Sequence, residues 1–331
     1  VGDTNAPGNR TFFKNQTKAA INNPFIKKAY TRFVYNSVLG WLLSDSHAVS
    51  IVDEILLNKK AREEADKVSR RVVQSLSKGI KGFGNKPKKF VDCTTNDKER
   101  RELFIVEGDS ALGSCKQARD PEFQAILPIR GKIMNCLKED LTRVLGNDII
   151  IDLLRVLGCG IEAKSRYIDD LPEFDIDKLN WGKIIICTDA DIDGMQIRCL
   201  IIAMFYRLLP SLLKAGKVYI AETPLFEIIY KKKSYFAYND SEKEEILKKL
   251  IEAGAKQSQI KVQRSKGLGE NNPDMMNVST MNPKTRRLIP VEYKGNEEDI
   301  AACFNTLLGD DIKARKEIID EYFEVTEVDI D

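Results

Sequence analysis

The residues best suited to chemistry are the aspartates of Thr-Asp-Ala-Asp-Ile-Asp-Gly, residues 188–194, which follow the apolar run Lys-Ile-Ile-Ile-Cys-Thr at residues 183–188. In an extended chain alternate side chains share a side, so Asp189, Asp191 and Asp193 would project together. Carboxylates that close repel and raise one another's pKa, and a divalent cation relieves the repulsion. Ligands that are all oxygen favour magnesium, manganese or calcium over zinc. An EF-hand calcium loop opens with the same Asp-x-Asp-x-Asp-Gly. It needs glutamate at its twelfth position, where this chain has Leu200, and a preceding helix, where this chain reads as a strand.

A second acid, Glu107, closes the apolar run Glu-Leu-Phe-Ile-Val-Glu at residues 102–107 and leads into Gly-Asp-Ser-Ala-Leu-Gly-Ser. Gly108 and Gly113 have the spacing of a phosphate-binding loop, but Ser114-Cys115 stand where Lys-Ser or Lys-Thr is required, so this is no nucleotide loop. A lone acid at a strand end is commonly a helix cap or a surface residue. Glu107 gains weight by pairing with the aspartate triplet.

Elements that could position these acids follow from the periodicity. Strands are expected at 102–107, 183–188 and 218–222, and helices after the first strand, at 149–157 and at 197–213. Strands alternating with helices imply an α/β body with a mostly parallel sheet flanked by helices, whose sites form at the carboxyl ends of strands. Both acidic motifs sit at such ends. Ahead of this body, residues 25–57 and 59–76 read as long helices, and the Gly-, Lys- and Pro-rich residues 79–89 as a boundary. Behind it come a hairpin from 225–230 and 234–238, a helix through Ala253 with a capping box of Ser241 and Glu244, and two short helices in 297–323.

Composition bounds the reading. A chain of 331 residues, 43% hydrophobic, can bury a substantial core, and no apolar run approaches the roughly 20 residues of a membrane span. A soluble, cytoplasmic protein without membrane association is expected. Seven widely spaced cysteines without Cys-x-x-Cys argue against a disulfide framework and against zinc. The net charge of +2 conceals an asymmetry: residues 59–101 hold fourteen Lys and Arg against six acids, whereas residues 297–331 hold twelve acids against three bases. The first stretch suits a polyanion; the second suits solvent or a protein partner.

Val-Glu-Gly-Asp-Ser-Ala followed about 80 residues later by Asp-Ala-Asp-Ile-Asp-Gly resembles the Toprim fold of topoisomerases, primases and some nucleases. Four further blocks, at 124–135, 157–161, 264–273 and 280–288, narrow the resemblance to the B subunit of bacterial type IIA topoisomerases, the gyrase B and topoisomerase IV B family. Phe-Phe-Lys-Asn-Gln-Thr-Lys at 12–18 is similar to the loop by which that family's transducer domain senses ATP.

The resemblance implies a Toprim core at 99–225, preceded by the helical end of a transducer domain at 1–78 and a basic linker at 79–98, and followed by a carboxyl-terminal region at 226–331. It implies a DNA cleavage and religation centre in which Glu107, Asp189 and Asp191 are catalytic and, with Asp193, hold one or two magnesium ions, with manganese or calcium as substitutes. The nucleophile would be a tyrosine of an A subunit, of gyrase A or topoisomerase IV A type, in an A2B2 heterotetramer acting on double-stranded DNA. Lys116, Arg130, Lys132 and Lys266 would contact DNA, Asp109 and Lys132 would border a quinolone-type inhibitor pocket, and Gln16 and Lys18 would sense ATP. The ATP-binding domain that should precede them is not read in residues 1–331, so ATP is expected to serve only the full-length subunit, and this piece should not hydrolyse it alone. Met195-Gln196 stand where the family usually has Ser-His, and Leu112-Gly113-Ser114-Cys115 where Gly-Gly-Ser-Ala is common. A module that only docks an A-type subunit and DNA is the alternative, and magnesium-dependent cleavage separates the two.

Overall fold

Two long helices come first, α1 at Pro24–Ser44 and α2 at Ala48–Ser77. The computed structural model describes residues 24–44, 48–77, 87–164, 171–231, 233–264, 267–270 and 272–323. These fall into two units that divide between residues 64 and 65. In the first, α1 carries exposed apolar side chains, among them Phe33, Tyr35 and Val38. No described helix is long and apolar enough to cross a membrane.

The second unit holds the α/β body. Its elements run β1 (Glu102–Glu107), α3 (Gly108–Ala118), β2 (Gln124–Ile129), α4 (Leu141–Gly146), α5 (Asp148–Leu157), β3 (Lys183–Cys187), α6 (Ile192–Leu208), α7 (Pro210–Lys214) and β4 (Val218–Ala221). Beyond them lie β5 (Phe226–Tyr230), β6 (Lys233–Ala237), α8 (Asp240–Glu252), β7 (Lys261–Arg264), α9 (Pro273–Met276) with a π-helical turn at Asn277–Met281, β8 (Leu288–Pro290), α10 (Glu297–Leu308) and α11 (Ile312–Phe323).

The main sheet has the order β2-β1-β3-β4-β8. Its first four strands are parallel and β8 is an antiparallel edge. Residues 103–106 and 184–187 are almost completely buried, as continuous apolar runs must be when helices cover both faces of a parallel sheet. Period-two alternation divides them. Leu103, Ile105, Ile184 and Ile186 share a core with α5, α6 and the α2 residues Ala65 and Val72. Phe104, Val106, Ile185 and Cys187 face α3 and Met276 and Met281.

Several expected boundaries move. The helix expected at 197–213 starts at Ile192 and stops at Leu208, because Leu209, which precedes Pro210, is pushed out of helical geometry, and α7 restarts at the proline. The cap of α8 is Asn239, not Ser241: its side chain accepts from the Glu242 N–H at 2.8 Å, and Glu242 answers by accepting from the Tyr238 N–H at 3.2 Å. Asparagine is as good a cap as serine, so capping chemistry alone did not choose between them. β2, which the periodicity did not register, tolerates Pro128 because it lies at the sheet edge. Val91 pairs with Ile126, at 2.9 and 2.8 Å, where β2 would otherwise be open. The hairpin forms as expected from β5 and β6, and β7 joins it on the other side of β5. The two short terminal helices also form, with Phe304 of α10 stacked on Tyr206 of α6 at 4.1 Å.

One buried ion pair ties the segment before β8 to the start of β1. Arg286 donates to both oxygens of Glu102 at 2.6 Å, with both side chains 4% exposed. Gln124 donates to the same carboxylate at 3.0 Å and to the Met281 carbonyl at 2.7 Å. Burial by itself would raise the Glu102 carboxyl, but the hydrogen bonds from Arg286 and Gln124, with the charges of Arg286 and Lys183, outweigh it and hold the group below the ordinary carboxylate value. Its contribution to stability is therefore complete above the unfolded value, about pH 4.3, and is lost as the pH falls through the depressed folded value. Arg286→Ala, which leaves a buried charge unpaired, should cost about 3–5 kcal/mol. In urea melts carried from neutral pH into the acid range, replacing both partners (Glu102→Gln with Arg286→Met) should flatten the acid limb.

Candidate metal centre

Adjacent parallel strands decide which acids can meet. Val106 of β1 lies opposite Cys187 of β3, so Glu107 emerges beside Thr188 and the aspartate run starts one residue later. Glu107 occupies the N-cap position of α3, yet its side chain makes no cap bond to that helix. Its Oε2 instead accepts the Asp189 N–H at 3.2 Å, so one strand end reads the other. Thr188 is buried and accepts from Arg198 of α6 at 3.3 Å, which fixes the chain immediately before Asp189.

The aspartates do not project as an extended row. Asp191 is the N-cap of α6, with Oδ1 accepting the Gly194 N–H at 2.7 Å, and Asp193 lies in the first helical turn, where a carboxylate meets the positive end of the helix. A capping aspartate followed by a helix is the local preference that overrides the extended geometry. Asp193 pairs with Lys132 at 2.8 Å. Asp189 Oδ1 accepts the Leu268 N–H at 2.7 Å. The acids remain electrostatically coupled: burial pushes the Glu107 carboxyl up, the Asp189 N–H opposes this, and the charges of Asp189, Asp191 and Asp193 push it up further.

Among the described residues no group of three or more histidine, cysteine, aspartate or glutamate side chains is arranged to hold a metal ion. The donor chemistry nevertheless suits a hard divalent cation, since all four groups are carboxylates and Glu107 carries the repulsion of the other three. Glu107 and Asp189 lie at two neighbouring strand ends, Asp191 caps α6, and Asp193 is turned toward Lys132.

The segment around residues 267–269 packs directly on this edge. A Cβ on Gly267, whose φ is 146°, would stand 2.9 Å from Asp189 Oδ2, and one on Gly269 would stand 2.6 Å from the Ser110 Cβ. Gly267 and Gly269 follow Lys266 in the chain, and nothing local to them identifies Asp189 as what they approach. Lys266, Gln16 and Lys18 lie outside the described residues. Of the other candidate cations, Arg130 meets Asp109 at 3.3 Å and Lys132 meets Asp193. Lys116 is carried to the last turn of α3, nine residues beyond Glu107 and about 13 Å along the helix axis. Lys89, which the sequence did not single out, pairs with the same oxygen of Asp109.

Comparisons with known proteins agree with this geometry. A family model of the Toprim domain matches residues 102–223, and one described as the DNA gyrase B subunit carboxyl terminus matches residues 257–320. The chain is 42% identical over 308 residues to the DNA gyrase B subunit of Archaeoglobus fulgidus, covering 93% of this chain and 45% of that protein. It is 42% identical over 320 residues to the DNA gyrase B subunit of Thermotoga maritima, with 96% and 48% covered. The chain belongs to the DNA gyrase B family. A third relative, the DNA gyrase B subunit of Thermus thermophilus, is 39% identical over 318 residues, and the chain spans about half the length of the curated relatives it matches. The acidic edge is thus the carboxyl edge of a Toprim sheet, and the segment that clamps Asp189 falls within the matched gyrase B carboxyl-terminal region.

Gly194 gives a direct test of the turn that leads from Asp189 into α6, because a Cβ there would lie 2.1 Å from the Asp189 carbonyl oxygen. Gly194→Ala must move backbone rather than a flexible side chain and should destabilise the protein by about 1–3 kcal/mol. Thermal melts check it; a melting temperature equal to the parent's would contradict the packing described.

Proposed function

We propose that this chain supplies the metal-bearing half of a type IIA topoisomerase cleavage centre, in which a tyrosine of an A-type subunit attacks a DNA phosphodiester within an A2B2 assembly. The carrying observation is the convergence of Glu107 and Asp189 at neighbouring parallel strand ends, with Asp191 at the start of α6, in a chain of the gyrase B family.

Glu107, Asp189 and Asp191 would hold one or two magnesium ions, with manganese or calcium as substitutes, and Asp193 would complete or tune the second position. When bound, such cations stabilise charge on the leaving 3′ oxygen and anchor a neighbouring phosphate. Glu107, at the strand end beside that oxygen's proposed position, would also carry a proton to it. The Leu268 N–H and the helix-capping role of Asp191 orient two of the acids before substrate arrives. Arg130 and Lys132, just past the end of β2, would meet phosphate, and Lys116 would do so farther along the duplex. Asp109 and Lys132 border the position of a quinolone-type inhibitor. ATP-driven strand passage, as supercoiling or as decatenation, belongs to the whole subunit with its A partner.

Glu107→Ala and Asp189→Ala, assayed with a full-length B chain and its A subunit, should abolish magnesium-dependent cleavage of duplex DNA while the circular dichroism of the fold is retained. Cleavage at the parent rate in either variant would overturn the assignment and favour a module that only docks.

A further inference from the structure

Residues 87–90 make a tight turn, closed by the Phe90 N–H donating to the Pro87 carbonyl at 3.2 Å. Within it Lys89 adopts a φ of 66°, a left-handed conformation that a side chain bearing a Cβ takes only under constraint and that gathers at functional sites. The turn delivers the Lys89 ammonium to Asp109 Oδ2, and Arg130, leaving the end of β2, reaches the same oxygen at 3.3 Å. All three side chains are solvent-exposed, at 43%, 41% and 66%, so their pairing contributes little to holding the turn in its strained form. Two cations converging on one carboxylate oxygen leave the cluster with a surplus positive charge. Beside it opens a cleft of about 290 Å³ whose lining includes Leu127, Ile149 and Leu153 and the acids Asp148 and Asp152, of which Asp148 is paired with Arg71 and Asp152 with Arg155.

The cluster stands at the acidic edge. Asp109 follows Glu107 by two residues, so their Cα atoms are at most about 7.6 Å apart. One strand of DNA advances about 3.4 Å per nucleotide along the helix axis. An anion bound here lies along the same edge as a phosphate held at Glu107.

We propose that Lys89 and Arg130 form a phosphate-binding pair for the backbone of the bound duplex, and that Asp109 is the internal anion that occupies the pair until a phosphate displaces it. A guanidinium and an ammonium focused on one carboxylate oxygen present the arrangement that a phosphate oxygen requires. Asp109 keeps both cations extended and aimed, and it competes with DNA for them. The inference rests on the cleavage-centre reading above.

The test is the salt dependence of duplex binding by the reconstituted complex of full-length B chain and A subunit, with a fluorescein-labelled duplex in EDTA so that no strand is cut. Each phosphate contact contributes about 0.9 to the slope of log K against log salt, so Lys89→Ala should lose about 3.5-fold less affinity than the parent between about 50 and 200 mM salt. Lys89→Arg should restore the slope. Asp109→Asn should tighten binding several-fold at every salt concentration and leave the slope unchanged. An unaltered slope in Lys89→Ala, or weaker binding in Asp109→Asn, overturns the proposal. If Lys89→Ala is silent while parent binding is salt-dependent and Glu107→Ala abolishes cleavage, this proposal alone fails. If parent binding shows no salt dependence, or Glu107→Ala cleaves normally, the cleavage-centre reading fails with it.

Discussion

β1 and β3 run side by side in the same direction with Val106 opposite Cys187, and the acidic edge is a consequence of that register. A slip of one residue would turn Leu103, Ile105, Ile184 and Ile186 from one core to the other. Their complete burial makes such a slip prohibitive. The same apolar packing that stabilises the sheet therefore holds two carboxylate-bearing strand ends together. Hydrophobic burial far from the acids offsets the repulsion at them.

Around that edge the fold supplies directed polar partners rather than a closed cage. Asp189 receives the Leu268 N–H, Glu107 receives the Asp189 N–H, and Asp191 receives the Gly194 N–H. Each donor is backbone, so the acids are oriented by groups that cannot swing away and that a side-chain substitution does not remove. Glycine is required where those backbones come close, at Gly194 and Gly267. The buried Glu102–Arg286 pair acts at the opposite end of β1 and anchors the segment that follows the Met281 turn. The two ends of one strand thus carry opposite arrangements of charge: a satisfied ion pair that serves the fold, and a mutually repelling set of acids suited to chemistry.

Much of this was legible in the sequence because the decisive signals were local. Continuous apolar runs at 102–107 and 183–188 specify buried parallel strands, and an acid at or just past the end of each specifies where chemistry can sit. What escaped was set by competition between local rules or by contacts between distant segments. Asp191 satisfies both an alternating row and a helix cap, and the cap prevailed. Asn239 and Ser241 both make acceptable caps, and the carboxylate of Glu242 selected the first. β2 contains a proline, which reads against a strand until its edge position is known. Lys89 has no distinguishing neighbour in sequence; only the turn and the ion pair with Asp109 reveal it. The role of Gly267 requires knowing that the segment at 267–268 meets Asp189.

A common pattern links the two sets of cations near the acids. Lys132 is held by Asp193, and Lys89 with Arg130 is held by Asp109, so positive charge suited to phosphate is neutralised internally. Internal neutralisation lets a strongly charged surface persist without demanding a ligand, and the exposed pairs are weak enough to exchange partners. Exchange has a direction. A lysine that leaves Asp193 for a phosphate frees that carboxylate for a cation, and a carboxylate engaged by a cation frees the lysine for phosphate. Linkage requires the two effects to be equal in free energy. Under the proposed function, duplex and divalent cation would therefore strengthen each other's binding through Lys132 and Asp193, whereas the Asp109 cluster, which has no place in the acid row, would tune DNA affinity alone.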